Sequence, residues 1–269
     1  MREIFSETVL ITGASSGIGL ELAKCFAAEY FSNNGCRIIL VARNRPALES
    51  LAEELQKGCD AQITVLPADL SLPDTPKQIF RELQAANIHV DVLVNNAGFG
   101  AIGAFAELPL ERQIEMIQVN VTALTGLTRL FLPDMIKRRR GGILNVSSVA
   151  GFVPGPGMAV YYATKAFVLS FTEALAAELE GTGVKVTALC PGPTPTNFGN
   201  VAGSKNVRLI RLPGTSAEKV ARDGHAAFRS GRTIAVPGLQ NKFVVLFARP
   251  MPGKLIRKIV RKFNGFRPV

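Results

Sequence analysis

Seven short apolar runs recur along the chain, most of them far enough apart to hold one helix in between. They are TVLIT (8–12), RIILVA (37–42), ITVLPAD (63–69), VDVLVN (90–95), GILNVS (142–147), VKVTAL (184–189) and TIAV (233–236). Each is β-branched and nearly continuous, the pattern of a strand buried on both faces. Between them lie amphipathic segments such as GLELAKCFAAEY, PALESLAEELQK, TPKQIFRELQAA and ATKAFVLSFTEALAAELE. This alternation predicts an α/β fold, a doubly wound seven-stranded parallel sheet with helices on both faces, in one domain over 1–236. Pro/Gly-rich breaks at 151–157 and 191–195 each follow a strand, on the side where open α/β sheets place their ligands. Neither reads as a linker, and no internal repeat is visible.

Composition agrees with one domain. The 269 residues suit a large α/β domain, and 47% hydrophobic residues supply a sizeable core. No apolar stretch approaches the roughly 18 residues of a spanning helix, and MREIFSETVL lacks the h-region of a signal peptide, so a cytoplasmic protein is expected. Cys25, Cys36, Cys59 and Cys190 have no paired or metal-ligand spacing and read as small buried hydrophobes in a reducing compartment. No metal site is expected. His89 opens an apolar strand and reads as structural.

The net charge of +10 is unevenly spread: ten Lys and Arg residues and no acid follow Asp223, which leaves residues 1–223 close to neutral. Residues 237–269 thus form a basic extension. In KLIRKIVRKF, Leu255, Ile256, Ile259, Val260 and Phe263 share one helical arc, with Lys254, Arg257, Lys258, Arg261 and Lys262 opposite. Such a helix over 254–263 can make peripheral contact with an anionic membrane surface. It can equally pack on the protein's own body, which the marginal stability of so short a helix favours. Nucleic acid is not an expected partner, because the tail has no stacking aromatics beyond Phe263 and Phe266.

The first strand runs into TGASSGIG and then a helix. Gly13 permits a sharp exit, Gly17 a close approach of phosphate to backbone, and Gly19 the packing of helix on sheet. Unpaired N–H groups at the helix start favour a pyrophosphate, which makes Ser15, Ser16 and Ile18 contact candidates too. At the end of the second strand an acid would bond a ribose 2′-hydroxyl. Here Ala42 and Arg43 stand there, and a guanidinium suits a 2′-phosphate, so the expected cofactor is NADP(H).

Tyr161 and Tyr162 both stand a helical turn before Lys165, and helix spacing alone does not choose between them. The other marks are NNAG (95–98), Asn120 in IQVNVTAL, SSVAG (147–151) and PGPTPT (191–196). With T-G-x-x-x-G-x-G and Y-x-x-x-K, these motifs resemble the short-chain dehydrogenase/reductase superfamily, in its form of about 250 residues. The likeness runs over roughly 7–236, and NAGFGAIGAF with CPGPTPTNF is similar to a mostly bacterial branch.

The resemblance implies a Rossmann-type sheet and reversible hydride transfer between a nicotinamide and an alcohol or carbonyl carbon. It selects Tyr161, because Ser148 lies 13 residues before it. Tyr162 is then a packing ring and Ser147 the structural serine of its pair. Implied roles are Tyr161 as general acid or base, Ser148 holding the substrate oxygen, and Lys165 lowering the phenol's pKa and binding ribose. Asn120 anchors a water beside Lys165. Asp69 and Leu70 flank the adenine; Asn96, Ala97 and Gly98 line the adenosine. Pro191, Gly192, Thr194 and Thr196 meet the nicotinamide end.

Family members pair through the helices holding Asn120 and Tyr161, so a homodimer or homotetramer is expected. Phe99, Ile102, Phe152, Val153, Met158 and Phe198 should border an apolar pocket, with a lid at 197–215. The leading reading is an NADPH-dependent reductase of an apolar ketone or 3-oxoacyl compound. Alternatives are an alcohol dehydrogenase working oxidatively, or a non-catalytic NADP-binding sensor or scaffold.

Overall fold

The computed structural model describes residues 7–29, 35–58, 61–196, 198–201, 214–248 and 250–266. Seven strands form one wholly parallel sheet in the order β3-β2-β1-β4-β5-β6-β7. They are β1 Glu7–Thr12, β2 Cys36–Ala42, β3 Gln62–Pro67, β4 Val92–Asn95, β5 Gly141–Val146, β6 Val184–Leu189 and β7 Ile234–Ala235. All seven fall within or beside the apolar runs. Just before β4, the Asp91 backbone bonds Thr8 and Gly142, and its carboxylate accepts the Thr8 N–H at 2.9 Å and pairs with Arg138 and Arg140.

The helices sort by sheet face. α1 (Gly17–Glu29), α2 (Arg45–Gly58) and α8 (Ala217–Arg229) cover one side, where Leu22, Phe26, Leu48, Leu55, Val220 and Phe228 pack on Val9 and Ile11. On the other side lie α3 (Thr75–Ala85), α5 (Leu124–Arg138) and α6 (Ala159–Glu178), whose Ile79, Leu127, Phe131 and Leu175 pack on Leu10 and Leu93. Alternate residues of β1 thus serve opposite layers, which is why its run has no polar interruption. Each large side chain so buried contributes on the order of 2 kcal/mol.

α4 (Leu110–Ile117) passes into α5 through a π turn, Gln118–Ala123, that holds Asn120. α7 is the short Phe198–Val201. Most of the segment 197–215 expected as a lid lies outside the described residues. The chain closes with α9 (Leu239–Ala248) and α10 (Gly253–Phe263). α10 buries Ile256 and Val260 against Met158 and Tyr162. Just beyond it, Asn264 accepts the Tyr162 hydroxyl at 3.2 Å and donates to the Pro156 carbonyl at 2.9 Å. Packing on the body is therefore real for half of the apolar arc; Leu255 and Phe263 stay exposed. No helix among the described residues is long and apolar enough to cross a membrane.

Candidate active site

Strand order reverses between β1 and β4, so the carboxyl edge there holds the crevice in which doubly wound sheets bind ligands. The segments leaving β1, β4, β5 and β6 carry the glycine loop, Asn96–Gly98, Ser147–Ser148 and Pro191–Thr196. Gly13 (φ +66°) and Gly17 (φ +59°) adopt the left-handed conformation that L side chains avoid. Thr12 and Asn96 lock this loop to the end of β4. The Thr12 hydroxyl accepts the Asn96 and Ala97 N–H groups at 3.0 and 3.1 Å and donates to the Val94 carbonyl at 3.2 Å. The Asn96 amide donates to the Thr12 and Gly13 carbonyls at 2.9 and 3.1 Å.

Gly19 has a different role from the one expected. A Cβ there would lie 2.3 Å from Asn96 Nδ2 and 2.4 Å from the Gly13 carbonyl oxygen, so the missing side chain closes the loop rather than fitting helix to sheet. Ser16 is exposed, and Ser15 and Ile18 half-buried, at the mouth. Across it, Thr196 Cγ2 would stand 3.0 Å from a Cβ on Gly17. A side-chain-free cradle at a helix N-terminus fits a dinucleotide pyrophosphate.

Ser148, Tyr161 and Lys165 converge beside this loop. Lys165 is buried on α6 and its ammonium donates to the Val146 carbonyl at 2.9 Å, 5.9 Å from the centre of the Tyr161 ring. The Ser148 hydroxyl donates to the Pro191 carbonyl at a long 3.3 Å and accepts the Ala150 N–H at 3.1 Å, and it stands close enough to Tyr161 to favour the phenolate. Ser147 instead donates to the Lys165 carbonyl at 2.7 Å and is structural. Burial pushes the Tyr161 phenol well above its usual range, and Ser148 only partly opposes this. Lys165 adds no lowering here: its ammonium is bonded to the Val146 carbonyl, and burial sets the direction.

The short chain dehydrogenase profile matches residues 7–206. The chain belongs to the short-chain dehydrogenase family. A short chain dehydrogenase of Pseudocercospora fijiensis is 38% identical over 199 residues, 73% of this chain and 62% of that longer protein. Among solved structures, a short-chain dehydrogenase from Sphingobium yanoikuyae in complex with NADPH is 33% identical (TM-score 0.79, covering 90% of this chain and 92% of that one). A bulky-bulky ketone specific alcohol dehydrogenase from Comamonas testosteroni is 30% identical (TM-score 0.75, 91% and 93%). A Burkholderia phymatum short chain dehydrogenase/reductase in complex with NAD is 25% identical (TM-score 0.79, 100% and 99%). The family is one of NAD(P)-dependent oxidoreductases acting on CH–OH and C=O groups.

The other short-chain dehydrogenase positions fall as follows. The Asn120 side chain clamps Phe99: its carbonyl accepts the Phe99 N–H at 3.0 Å, and its amide donates to the Phe99 carbonyl at 2.9 Å and to Thr164 Oγ1 at 3.0 Å. A Cβ on Gly98 would lie 3.0 Å from Asn120 Oδ1 and 3.4 Å from Lys165 Nζ, so this glycine keeps a gap open between amide and ammonium. Thr194 donates to the Gly192 carbonyl at 3.0 Å, and Asn241 of α9 covers Gly192. At the end of β3, Asp69 caps Ser71 N at 2.9 Å and Leu70 is buried. Arg43 is exposed at the end of β2, 3.8 Å from Glu115.

Of the expected pocket residues, Phe198 packs on Tyr161 with ring centres 5.2 Å apart, and Met158 lies beside them. Phe152 lines an apolar cavity, and Phe99 belongs to a cluster that Tyr161 joins. Phe99 packs with Met116 under the Arg112 guanidinium, and Phe152 packs with Leu169 and Cys190. An apolar cavity of about 500 Å³ lies beside Tyr162, lined also by Phe152, Val153 and Ala163; Tyr161, Ser148 and Lys165 do not line it. The sequence reading missed a buried polar ladder. Asn95 donates to Asn145 (2.9 Å) and Thr128 (3.1 Å), and Asn145 to Thr172 (3.0 Å), joining β4, β5, α5 and α6 below the site. The signal was there: asparagines inside two otherwise apolar strands.

Desolvation pulls the Lys165 ammonium down to about 8. The unfolded lysine holds its proton to roughly 10.4. Between these values the unfolded chain carries more protons, so stability rises with pH there. Lys165→Met removes this slope. The difference in Tm between parent and variant should move in the parent's favour from about pH 7.5 to 10, and a difference that stays constant would refute the buried charge.

Proposed function

We propose that this protein is an NADPH-dependent carbonyl reductase for a bulky apolar ketone or 3-oxoacyl compound. The observation that carries this reading is the placement of Tyr161: the phenol is buried beside Ser148 while Phe198 and Met158 pack around its ring. Apolar walls around a proton donor suit an apolar carbonyl, in line with the ketone named for the Comamonas relative.

The glycine loop and Lys165 would hold a reduced nicotinamide cofactor, which when bound would provide hydride for the carbonyl carbon. Tyr161 is held protonated by burial and delivers its proton to the carbonyl oxygen. Ser148 exchanges its long bond to Pro191 for one to that oxygen. Lys165 holds ribose and offsets phenolate charge after transfer. The gap at Gly98 has room for a relay between Asn120 and Lys165, the role the resemblance gives Asn120. Exposed Leu110, Ile114 and Phe167 on α4 and α6 favour assembly as a homodimer or homotetramer through these helices. Cofactor oxidation measured with a panel of bulky and small ketones tests the reaction; preference for small polar carbonyls would overturn the substrate class.

Relatives bind NADPH or NAD, so the choice rests on Arg43. The Ala14 N–H bonds the Val41 carbonyl at 3.3 Å, which sets the end of β2 beside the glycine loop. The exposed contact of Arg43 with Glu115 is worth well under about 1 kcal/mol and yields readily to a phosphate. Fluorescence titration should show tighter binding of NADPH than NADH. Arg43→Ala should weaken NADPH roughly ten- to hundredfold and leave NADH unchanged. Equal affinities in the parent would sink the preference.

A further inference from the structure

α9 is amphipathic the wrong way round. Asn241, Val245 and Ala248 turn toward the body, with Asn241 bonded to the Pro237 carbonyl at 2.6 Å. Leu239, Phe243, Leu246 and Phe247 form the opposite stripe and, with Val244, are 56 to 72% exposed. The Phe243 and Phe247 rings stack on each other at 6.5 Å in the open. A surface helix turns its apolar stripe to the core, and a run of exposed large apolar side chains marks an interaction surface.

α10 follows directly and supplies the charge. Lys254, Arg257, Lys258, Arg261 and Lys262 are all exposed, with Leu255 and Phe263 among them, and no acidic residue follows Asp223. We propose that α9 and α10 together form a docking surface for an anionic phospholipid membrane. The α9 stripe enters the boundary between headgroups and acyl chains, and the α10 cations meet the lipid phosphates. A second copy of the chain is a poorer occupant, because a two-fold interface sets the same patch on both subunits and would bring two cationic arrays together. Asn264 ties this surface to Pro156 and Tyr162, so membrane docking bears on the apolar cavity beside Tyr162.

The test reads binding, not turnover, and so stands apart from the proposed reaction. The full chain is floated at low salt with phosphatidylcholine–phosphatidylglycerol vesicles and with phosphatidylcholine vesicles alone. Truncation is avoided because it would remove the Asn264 brace. The parent should float with the anionic vesicles and stay behind with the neutral ones. Arg257→Gln with Lys258→Gln should lower partitioning about fivefold per charge, or roughly 25-fold together. Phe243→Ser with Phe247→Ser should lower it at least tenfold. All four positions are exposed, and unchanged melting curves check that the variants fold. No flotation, or equal flotation with neutral vesicles, overturns the proposal. So does a fall in mass by light scattering in the serine variant, which would identify a second copy as the occupant.

Discussion

Tyr161→Phe should lower turnover by about 10²–10⁴-fold while the cofactor still binds. The substitution removes only the hydroxyl that is placed beside Ser148 to give a proton to a substrate oxygen. The ring stays packed against Phe198 and Tyr162. Tyr162→Phe, one residue away, should keep most activity. Its hydroxyl faces Asn264, which is buried, so the loss is one hydrogen bond and an orphaned amide oxygen, about 1–3 kcal/mol of stability. The two variants should therefore separate on two axes: Tyr161→Phe in steady-state cofactor oxidation, Tyr162→Phe in Tm. If they exchanged behaviour, both the Ser148 spacing and the geometry of α6 would have been misread.

Much of this was legible in the chain because it is local. Runs such as VLIT and VKVTAL announce strands buried on both faces, and TGASSGIG announces a loop that needs glycine. Other features depend on contacts distant in sequence. The Thr12 hydroxyl meets backbone groups 84 and 85 residues away, and nothing near Thr12 hints at them. Gly19 reads as a helix-packing glycine until Asn96 is found in its place. The phenol of Tyr161 was expected to be acidified by Lys165, because spacing shows the ammonium nearby but not the Val146 carbonyl that binds it. Phe99 and Phe152 sit in loops of pocket-like composition, and the clusters they join, with Met116 and with Leu169 and Cys190, come from elements far off in sequence. The split of charge and apolar residues over 254–263 draws attention to α10, while FVVLF in α9 carries no such mark. Burial reverses this, since α10 packs half of its apolar arc and α9 packs almost none of its stripe.

Gly19→Ala should lower cofactor affinity at least about 100-fold, against the usual effect of such a change. In the first turn of a helix, alanine is favoured over glycine by up to about 1 kcal/mol, and Gly19 has no left-handed φ to strain. Sterics decide otherwise. The new Cβ would sit 2.3 Å from Asn96 Nδ2 and 2.4 Å from the Gly13 carbonyl oxygen. The amide can swing away, but only by leaving the Thr12 and Gly13 carbonyls it holds. The Gly13 carbonyl is backbone and can move only with the loop. Two lost hydrogen bonds and a displaced loop cost about 3 kcal/mol, or roughly 6–12 °C in Tm. A phosphate cradle shifted by even about 1 Å loses its aligned N–H donors, so binding should suffer more than stability. Gly58→Ala at the end of α2 is the control, since nothing lies within 4 Å of the added Cβ and the change should be neutral or slightly stabilising. Asn96→Ala in the Gly19→Ala background relieves one of the two clashes and should recover part of the lost Tm but little of the affinity. Should Gly19→Ala bind NADPH as the parent does, the loop is not closed in the way these contacts require.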